Sequence, residues 1–322
     1  MDRRRLVGIG LGALAGAAYG TGPLFFKKWV YPAGVDWIAM LVWRFFFASV
    51  VSWVWLLAQP RARAALRELD RATIARLLGN GAFFILNASV YYAAIERIDI
   101  SLVALLMSAY PALVAVLSLR LGYKFEGRLA WGSMAIVILG TVLTIGGVKP
   151  GTDQTGIAIA LLSPIMYAFY IVLTAWTAGE RPGQTADMRS RGKGAEVPPA
   201  VAGAVMMTGT FIATLALGLV AREPLLPTQI PAGAWPGLIG IGVFAAAIAI
   251  QAFYASAARI GAAQASLMAT VEPIVVIFLG ITFLDELFSP IRAVGAVVVL
   301  CGVLLAQTAT PPESRPVVLE EP

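Results

Sequence analysis

The chain has 322 residues, of which 59% are hydrophobic and 13% charged, and its net charge is +6. Soluble domains are about 45–50% apolar and about 25% charged, so this composition excludes an ordinary soluble fold and predicts a polytopic membrane protein. The single cysteine, Cys301, and the lack of histidine exclude an intrachain disulfide and a thiolate metal cluster and remove the commonest metal ligand.

Apolar segments of about 20 residues, which as helices cross roughly 30 Å of hydrocarbon, recur along the chain. They predict ten membrane-spanning helices, at 6–26, 37–58, 74–95, 100–121, 129–148, 155–178, 200–221, 235–258, 262–284 and 291–309. The predicted fold class is therefore an all-α integral membrane protein. The first segment also has the basic start and apolar middle of a cleaved signal peptide, whose removal would leave nine spans.

The distribution of lysine and arginine predicts the orientation of these spans. With the N-terminus in the cytoplasm, the arginine-rich stretches 3–5, 61–76 and 181–193 all lie on the cytoplasmic side. The other side receives only Lys27, Lys28, Arg97, Lys149, Arg222 and Arg292. We therefore expect an inner-membrane protein with both termini in the cytoplasm, a tether at 179–199 and a disordered cytoplasmic tail at 310–322.

The chain contains an internal repeat. The stretch YAAIERIDISLVALLMSAYP (92–111) matches YASAARIGAAQASLMATVEP (254–273), with tyrosine, arginine and proline at the same positions, and Gly140 aligns with Gly302. The repeat divides the chain into two five-helix halves, 1–149 and 155–309. Because five is odd, the halves insert with opposite topology, which is the architecture of secondary transporters.

Several stretches carry a family resemblance. They are WRFFFAS, which contains Arg44; YPALVAVLSLRLGYKFEGR followed by GSMAIVILGTVL; and VEPIVVIFLGITFLDELFS followed by GAVVVLCGVLLA. They resemble the EamA-type domains of the drug/metabolite transporter superfamily, with Glu126 as the equivalent of Glu286. The resemblance implies ten helices with both ends inside, a central cavity between spans 1, 3, 4, 6, 8 and 9, and export of small organic molecules, amino acids among them.

Two ionisable residues are predicted at membrane depth, where charge is costly and usually functional. Arg44 is either a snorkelling or helix-pairing arginine or a functional one. Glu272 is either a protonated carboxyl bonded to a neighbouring helix, or a residue that exchanges a proton or meets a cationic cargo. Pro111 and Pro273 are predicted as paired hinges that free the carbonyls of residues 107 and 269 to face a cavity. A static kink is the alternative.

Polar and aromatic residues cluster on the faces of the predicted helices, which suits a small amphiphilic ligand. The predicted substrate site comprises Tyr19, Asn87, Tyr91, Ser108, Tyr110, Tyr167, Gln251, Tyr254 and Glu272. For tyrosines near a span end, an interfacial position is the alternative.

We therefore interpret the chain as a secondary transporter, an exporter of a small neutral, zwitterionic or weakly cationic metabolite such as an amino acid, working by alternating access. The expected partners are this substrate, the lipid bilayer and protons as a candidate coupling ion. We expect no nucleic acid, metal or cofactor. An integral-membrane enzyme acting on a lipid-linked substrate, or a membrane scaffold or receptor that does not transport, are the alternatives.

Overall fold

The structure is a computed structural model that describes residues 3–110, 113, 117, 128–146, 148, 151–177, 197–260, 265, 268–287 and 289–309. The helices in chain order are α1 (Arg3–Phe25), α2 (Trp37–Leu57), α3 (Pro60–Glu68), α4 (Arg71–Arg97), α5 (Ile100–Met107), α6 (Arg128–Gly146), α7 (Gln154–Thr177), α8 (Pro199–Ala221), α9 (Trp235–Gly242), α10 (Ala249–Ile260), α11 (Val271–Phe283) and α12 (Pro290–Ala309). Pro111, Glu126 and the tail 310–322 lie outside the described residues.

These helices overlap all ten predicted spans, and the described part of the chain contains no strand. Among the described residues, five helical stretches are long and apolar enough to cross a membrane: Arg5–Ala33, Trp37–Leu57, Arg71–Arg97, Pro199–Ala221 and Ala232–Ser256. Four shorter apolar helices in the same part of the chain overlap the fifth, sixth, ninth and tenth predicted spans. The protein is therefore an all-helical, multi-pass membrane protein.

The short helix α3 was not predicted. It begins at Pro60, a residue suited to the first helical position because it has no backbone donor to leave unsatisfied. Ala62 on one face is buried, whereas Arg61, Arg63 and Arg67 are exposed. With nine residues, α3 is too short to span a bilayer, so hydropathy does not detect it.

Helices α6 and α12 show that the two halves are related by a two-fold axis. A β-carbon on Gly140 would stand 2.6 Å from the amide nitrogen of Val299, and one on Gly302 would stand 2.9 Å from that of Val137. Val137 and Val299 occupy the same repeat position, so the two contacts are reciprocal, as at a two-fold interface. Gly140 contacts residue 299 and Thr144 contacts residue 295, which makes the helices antiparallel. The repeat is therefore inverted.

In a second reciprocal contact, the first helix of each half packs on the other half. Gly8 of α1 packs on Ile260, at the end of α10 in the second half, with a hypothetical β-carbon 2.5 Å from Ile260 Cγ2. Gly156 of α7 packs on Ile98, at the end of α4 in the first half, at 2.7 Å. Ile98 and Ile260 are the same repeat position. The first helix of each half therefore packs against a helix of the other half.

Glycines make the packing of α1 this close. Gly8, Gly12, Gly16 and Gly20 recur every four residues and so share one face of the helix. Along this face the backbone of α1 contacts α10, the 268–269 segment and α11 in turn. The hydroxyl of Ser256 in α10 donates a hydrogen bond of 2.8 Å to the carbonyl of Gly8. These glycines therefore allow the close packing of α1.

We call the face of the molecule at which α1 begins the N-terminal face, and the other the opposite face. The opposite face carries the connections that follow α1, α4, α6 and α11. Three contacts show that these connections lie close together. Lys27, after α1, donates a hydrogen bond to the end of α4. Arg97, at the end of α4, pairs with Asp153 before α7, and Asp99 pairs with Arg292 after α11.

A candidate substrate cavity at the two-fold axis

Four of the predicted site residues converge at the centre of the structure. Tyr19 and Tyr167 are repeat mates, because GIGLGALAGAAYG (8–20) aligns with GIAIALLSPIMYA (156–168). Tyr110 and Glu272 are also mates, each directly before a repeat proline. The rings of Tyr110 and Tyr167 meet edge to face with centroids 4.8 Å apart. Glu272 lies within electrostatic range of all three tyrosines.

More aromatic rings extend this centre. Tyr167 stacks on Tyr170 at 5.9 Å, and Tyr170 meets Phe84 at 5.2 Å. On the other side, Tyr91 meets Tyr92 at 5.4 Å and lies within electrostatic range of Glu272.

These central residues keep part of their surface accessible. Tyr19, Tyr91, Tyr110, Tyr167 and Glu272 all lie among the helices, yet each is only half-buried. Side chains that keep accessible surface in the interior of a bundle border a cavity rather than a packed core. A space walled by tyrosines, with a few polar groups, suits a small organic molecule.

The structure corrects the expected setting of Glu272. Residues 268 and 269 are helical, Thr270 forms a turn, and α11 starts at Val271. Glu272 therefore lies in the first turn of α11, whereas the predicted span 262–284 placed it near the middle of a kinked helix. Pro273 sits in that same first turn, where its missing donor has no intrahelical partner to lose. The break lies at Thr270, just before the proline, and its mate Pro111 lies outside the described residues.

The carbonyl that Pro273 was predicted to free belongs to Ala269. The Ala269 oxygen packs on α1, 2.5 Å from where a β-carbon on Gly16 would stand. The glycine face of α1 therefore packs on the break. That this carbonyl meets water or substrate stays a prediction.

Arg44 behaves as a helix-pairing arginine. Its side chain is buried, and its Nη2 donates a hydrogen bond of 3.2 Å to the carbonyl of Ala245. That carbonyl belongs to the π-helical segment Val243–Ile248, where α-helical pairing is interrupted. The guanidinium also lies 5.0 Å from the ring centroid of Tyr92 and 5.2 Å from that of Phe45. Arg44 thus joins α2 to α4 and to the segment between α9 and α10.

Two predicted binding residues make hydrogen bonds within the helix bundle. Asn87 is buried, and its Oδ1 accepts a bond of 3.2 Å from the hydroxyl of Ser163 in α7. The hydroxyl of Ser108 donates to the carbonyl of Ala104, one turn earlier, at 2.9 Å. Both residues therefore support the wall of the cavity in this conformation.

The other two predicted residues lie against α8. The hydroxyl of Tyr254 is 3.3 Å from the sulfur of Met206, and Tyr254 is also within electrostatic range of Tyr19. Gln251 Nε2 lies 2.9 Å from a hypothetical β-carbon on Gly203. Gln251 Nε2 and the Tyr91 hydroxyl are buried without a hydrogen-bond partner among the described residues.

Sequence reasoning missed Tyr92 and Tyr170 as members of the aromatic wall. The alignment of 8–20 with 156–168, which pairs Tyr19 with Tyr167, is the sequence signal that identifies the centre.

Comparison with known proteins agrees with this architecture. The chain is 26% identical over 278 residues to the uncharacterized transporter YcbK of Bacillus subtilis, covering 83% of this chain and 82% of that protein. It is 25% identical over 242 residues to an uncharacterized transporter of Archaeoglobus fulgidus, covering 75% and 79%. It is 24% identical over 265 residues to YedA of Escherichia coli K12, named an uncharacterized inner membrane transporter, covering 81% and 78%.

A solved crystal structure superimposes with a TM-score of 0.64 at 15% identity, covering 97% of this chain and 100% of the other, which shows a shared fold. The profile of the EamA-like transporter family matches twice, over residues 6–146 and 154–308. With these two matches spanning nearly its whole length, the chain belongs to the EamA-like transporter family.

Proposed function

We propose that the protein is an inner-membrane exporter of a small neutral, zwitterionic or weakly cationic metabolite, an amino acid or related compound. The observation that carries this proposal is the composition of the centre. The four central residues form two repeat-mated pairs, of which three members are tyrosines and one is the carboxylate Glu272. A carboxylate surrounded by aromatic faces attracts an organic ammonium group.

Phosphate-rich cargo fits this centre poorly, because recognition of phosphate takes several cations. The nearby cation, Arg44, already bonds the Ala245 carbonyl and stacks on two rings. The tyrosine faces supply the apolar contact that an amino-acid side chain or another small amphiphile needs. The orientation expected from the arginine-rich stretches places both termini in the cytoplasm.

In this proposal Glu272 recognises the ammonium group of the cargo or exchanges a coupling proton. In surroundings of low dielectric constant a lone ionised carboxylate is costly, so a bound cation or proton stabilises it. The break at Thr270 and its counterpart at Ser108, where α5 ends, allow the halves to rock about the central site, as in alternating access.

The test is transport by Glu272→Gln in inside-out vesicles, measured with a panel of labelled amino acids and amines at several pH values. Glutamine keeps the size and hydrogen bonding but cannot titrate. We expect loss of affinity for cationic cargo or loss of dependence on the proton gradient. Glu223→Gln, which neutralises a carboxylate in the connection between α8 and α9, is the matched control. Unchanged rate, affinity and pH profile in Glu272→Gln would make this residue structural.

A further inference from the structure

The connection between α4 and α5 is tied to its neighbours on the opposite face by charged groups. Arg292, with 1% of its surface exposed, donates to Asp99 Oδ2 at 3.1 Å and to the Ser101 hydroxyl at 2.9 Å. Arg97 pairs with Asp153 at 3.2 Å. These contacts fasten the end of α4 and the start of α5 to the starts of α7 and α12.

Lys27, in the π-helical turn after α1, adds a third charged tie on the same face. Its ammonium group donates to the carbonyl of Ile95 at 2.6 Å and to that of Glu96 at 3.1 Å. Cations at the C-terminal end of a helix are favoured by the helix dipole. The connection between α4 and α5 is thus held by contacts of Lys27, Asp153 and Arg292.

At the aligned positions of the repeat, the sequence does not carry the charges of Asp99, Arg292 and Lys27. By the 162-residue offset, Asp99 corresponds to Gly261 and Arg292 to Ala130. By the 148-residue offset of the first helices, Lys27 corresponds to Ala175.

At the repeat positions that correspond to the Arg97–Asp153 ion pair, the sequence has two arginines. Arg97 corresponds to Arg259, and Asp153 corresponds to Arg5. The backbone contact beneath them is kept, since Gly8 lies 3.1 Å from Arg259 Cβ and Gly156 lies 2.9 Å from Arg97 Cβ, each measured from a hypothetical β-carbon. At this pair of positions the two faces therefore keep one backbone contact and differ in charge.

In an inverted-repeat transporter, the states open to either side differ by an exchange of conformation between the halves. If the halves were identical, the two states would have equal free energy. Any preference comes from positions at which the repeats differ, and ion pairs that form only when one face is closed favour closure of that face.

We propose that Lys27, Arg97, Asp99, Asp153 and Arg292 form a latch that holds the opposite face closed, so that the resting transporter is open toward its N-terminal face. This inference rests on the proposed alternating access. With the N-terminus in the cytoplasm, the resting state receives cargo from inside the cell, as an exporter requires. Cargo binding in the cavity must then offset the latch contacts before the opposite face opens.

The test measures the accessibility of the cavity from each face. Ser108→Cys in a Cys301→Ala background places one thiol beside the cavity wall. A membrane-impermeant thiol reagent is applied to right-side-out and to inside-out vesicles, and the ratio of the two labelling rates reports which face is open. This readout needs no transport, so it stands apart from the outcome of the Glu272→Gln experiment.

The latch variant is Asp99→Asn with Asp153→Asn. Asparagine keeps the size of both side chains, and at position 153 it can still accept the bond of 2.9 Å that the Thr155 amide donates. We expect the relative labelling rate from the opposite face to rise about fivefold or more, the order expected for losing partly exposed ion pairs. Asp36→Asn with Glu223→Gln removes two carboxylates from the same face outside these ion pairs and should leave the ratio unchanged.

A second variant introduces a candidate ion pair at the N-terminal face. Arg5→Asp places a carboxylate at the repeat mate of Asp153, one turn before Gly8, which contacts Arg259, and should lower the labelling rate from the N-terminal face. The proposal is overturned if the Asn pair labels like its control, if Arg5→Asp leaves the ratio unchanged, or if the thiol reacts from neither face in any variant.

Discussion

Gly16 and Gly10 lie on different faces of α1, and the same substitution at each should have opposite effects. A β-carbon at Gly16 would stand 2.5 Å from the Ala269 oxygen and 2.9 Å from its Cα, whereas one at Gly10 meets nothing within 4 Å. Ordinary van der Waals contact begins at 3.4 Å. The β-carbon of Gly16→Ala would therefore lie about 0.9 Å too close to backbone atoms, which cannot rotate away as a side chain can.

Two opposing effects set the change in the free energy of unfolding. Overpacking costs about 1–3 kcal/mol, and replacing glycine by alanine within a helix gains about 1 kcal/mol. Gly10→Ala should therefore stabilise the protein by about 1 kcal/mol. Gly16→Ala should destabilise it by about 1 kcal/mol net, and by more if α1 cannot shift. At about 2–4 °C per kcal/mol, the two melting temperatures should differ by about 4–8 °C.

The assay is heating of both purified variants in detergent at one scan rate, because membrane proteins often unfold irreversibly. The fraction that remains monodisperse is measured by size-exclusion chromatography. Since Ala269 adjoins the break at Thr270, Gly16→Ala should also slow transport, whereas Gly10→Ala should not. Equal melting temperatures for the two variants would refute the close packing of α1 on the Ala269 segment.

Other features lead to further predictions. In a cysteine-free background, single cysteines at Gly127 and Ser289 should react with impermeant thiol reagents from opposite sides of the membrane, because the repeats are inverted; labelling from one side would contradict the two-fold axis. Tyr91→Ala and Tyr254→Ala should each impair transport without affecting insertion, with milder effects for Phe if the ring contacts the cargo; normal transport by both Ala variants would make these rings packing residues. Burial raises the pKa of Glu286, so the folded protein binds this proton more tightly than the unfolded chain, and stability should fall as pH rises from about 4.5 through the folded pKa. Thermal unfolding across pH should show this loss in the wild type relative to Glu286→Gln, and parallel pH profiles would rule it out.

The helices and the inverted repeat could be predicted from the sequence because both depend on local information. A membrane leaves helices as the only structure for isolated apolar stretches of about 20 residues. Aligned residues such as Arg97 and Arg259 reveal duplication without any knowledge of contacts. The odd number of spans per half then fixes the inversion. The carboxylate at Glu272 stood out for the same local reason, as a charge within an apolar run.

Tertiary structure alone decided which of these residues meet. Tyr19, Tyr110, Tyr167 and Glu272 come together because glycine faces let helices from different halves approach closely, and this convergence cannot be read from any one helix. It also decided that the Ala269 carbonyl packs on α1. The pairing of Asp99 with Arg292, 193 positions apart, likewise depends on where four connections converge, since side chains interact over a few ångströms in space whatever their separation in the chain.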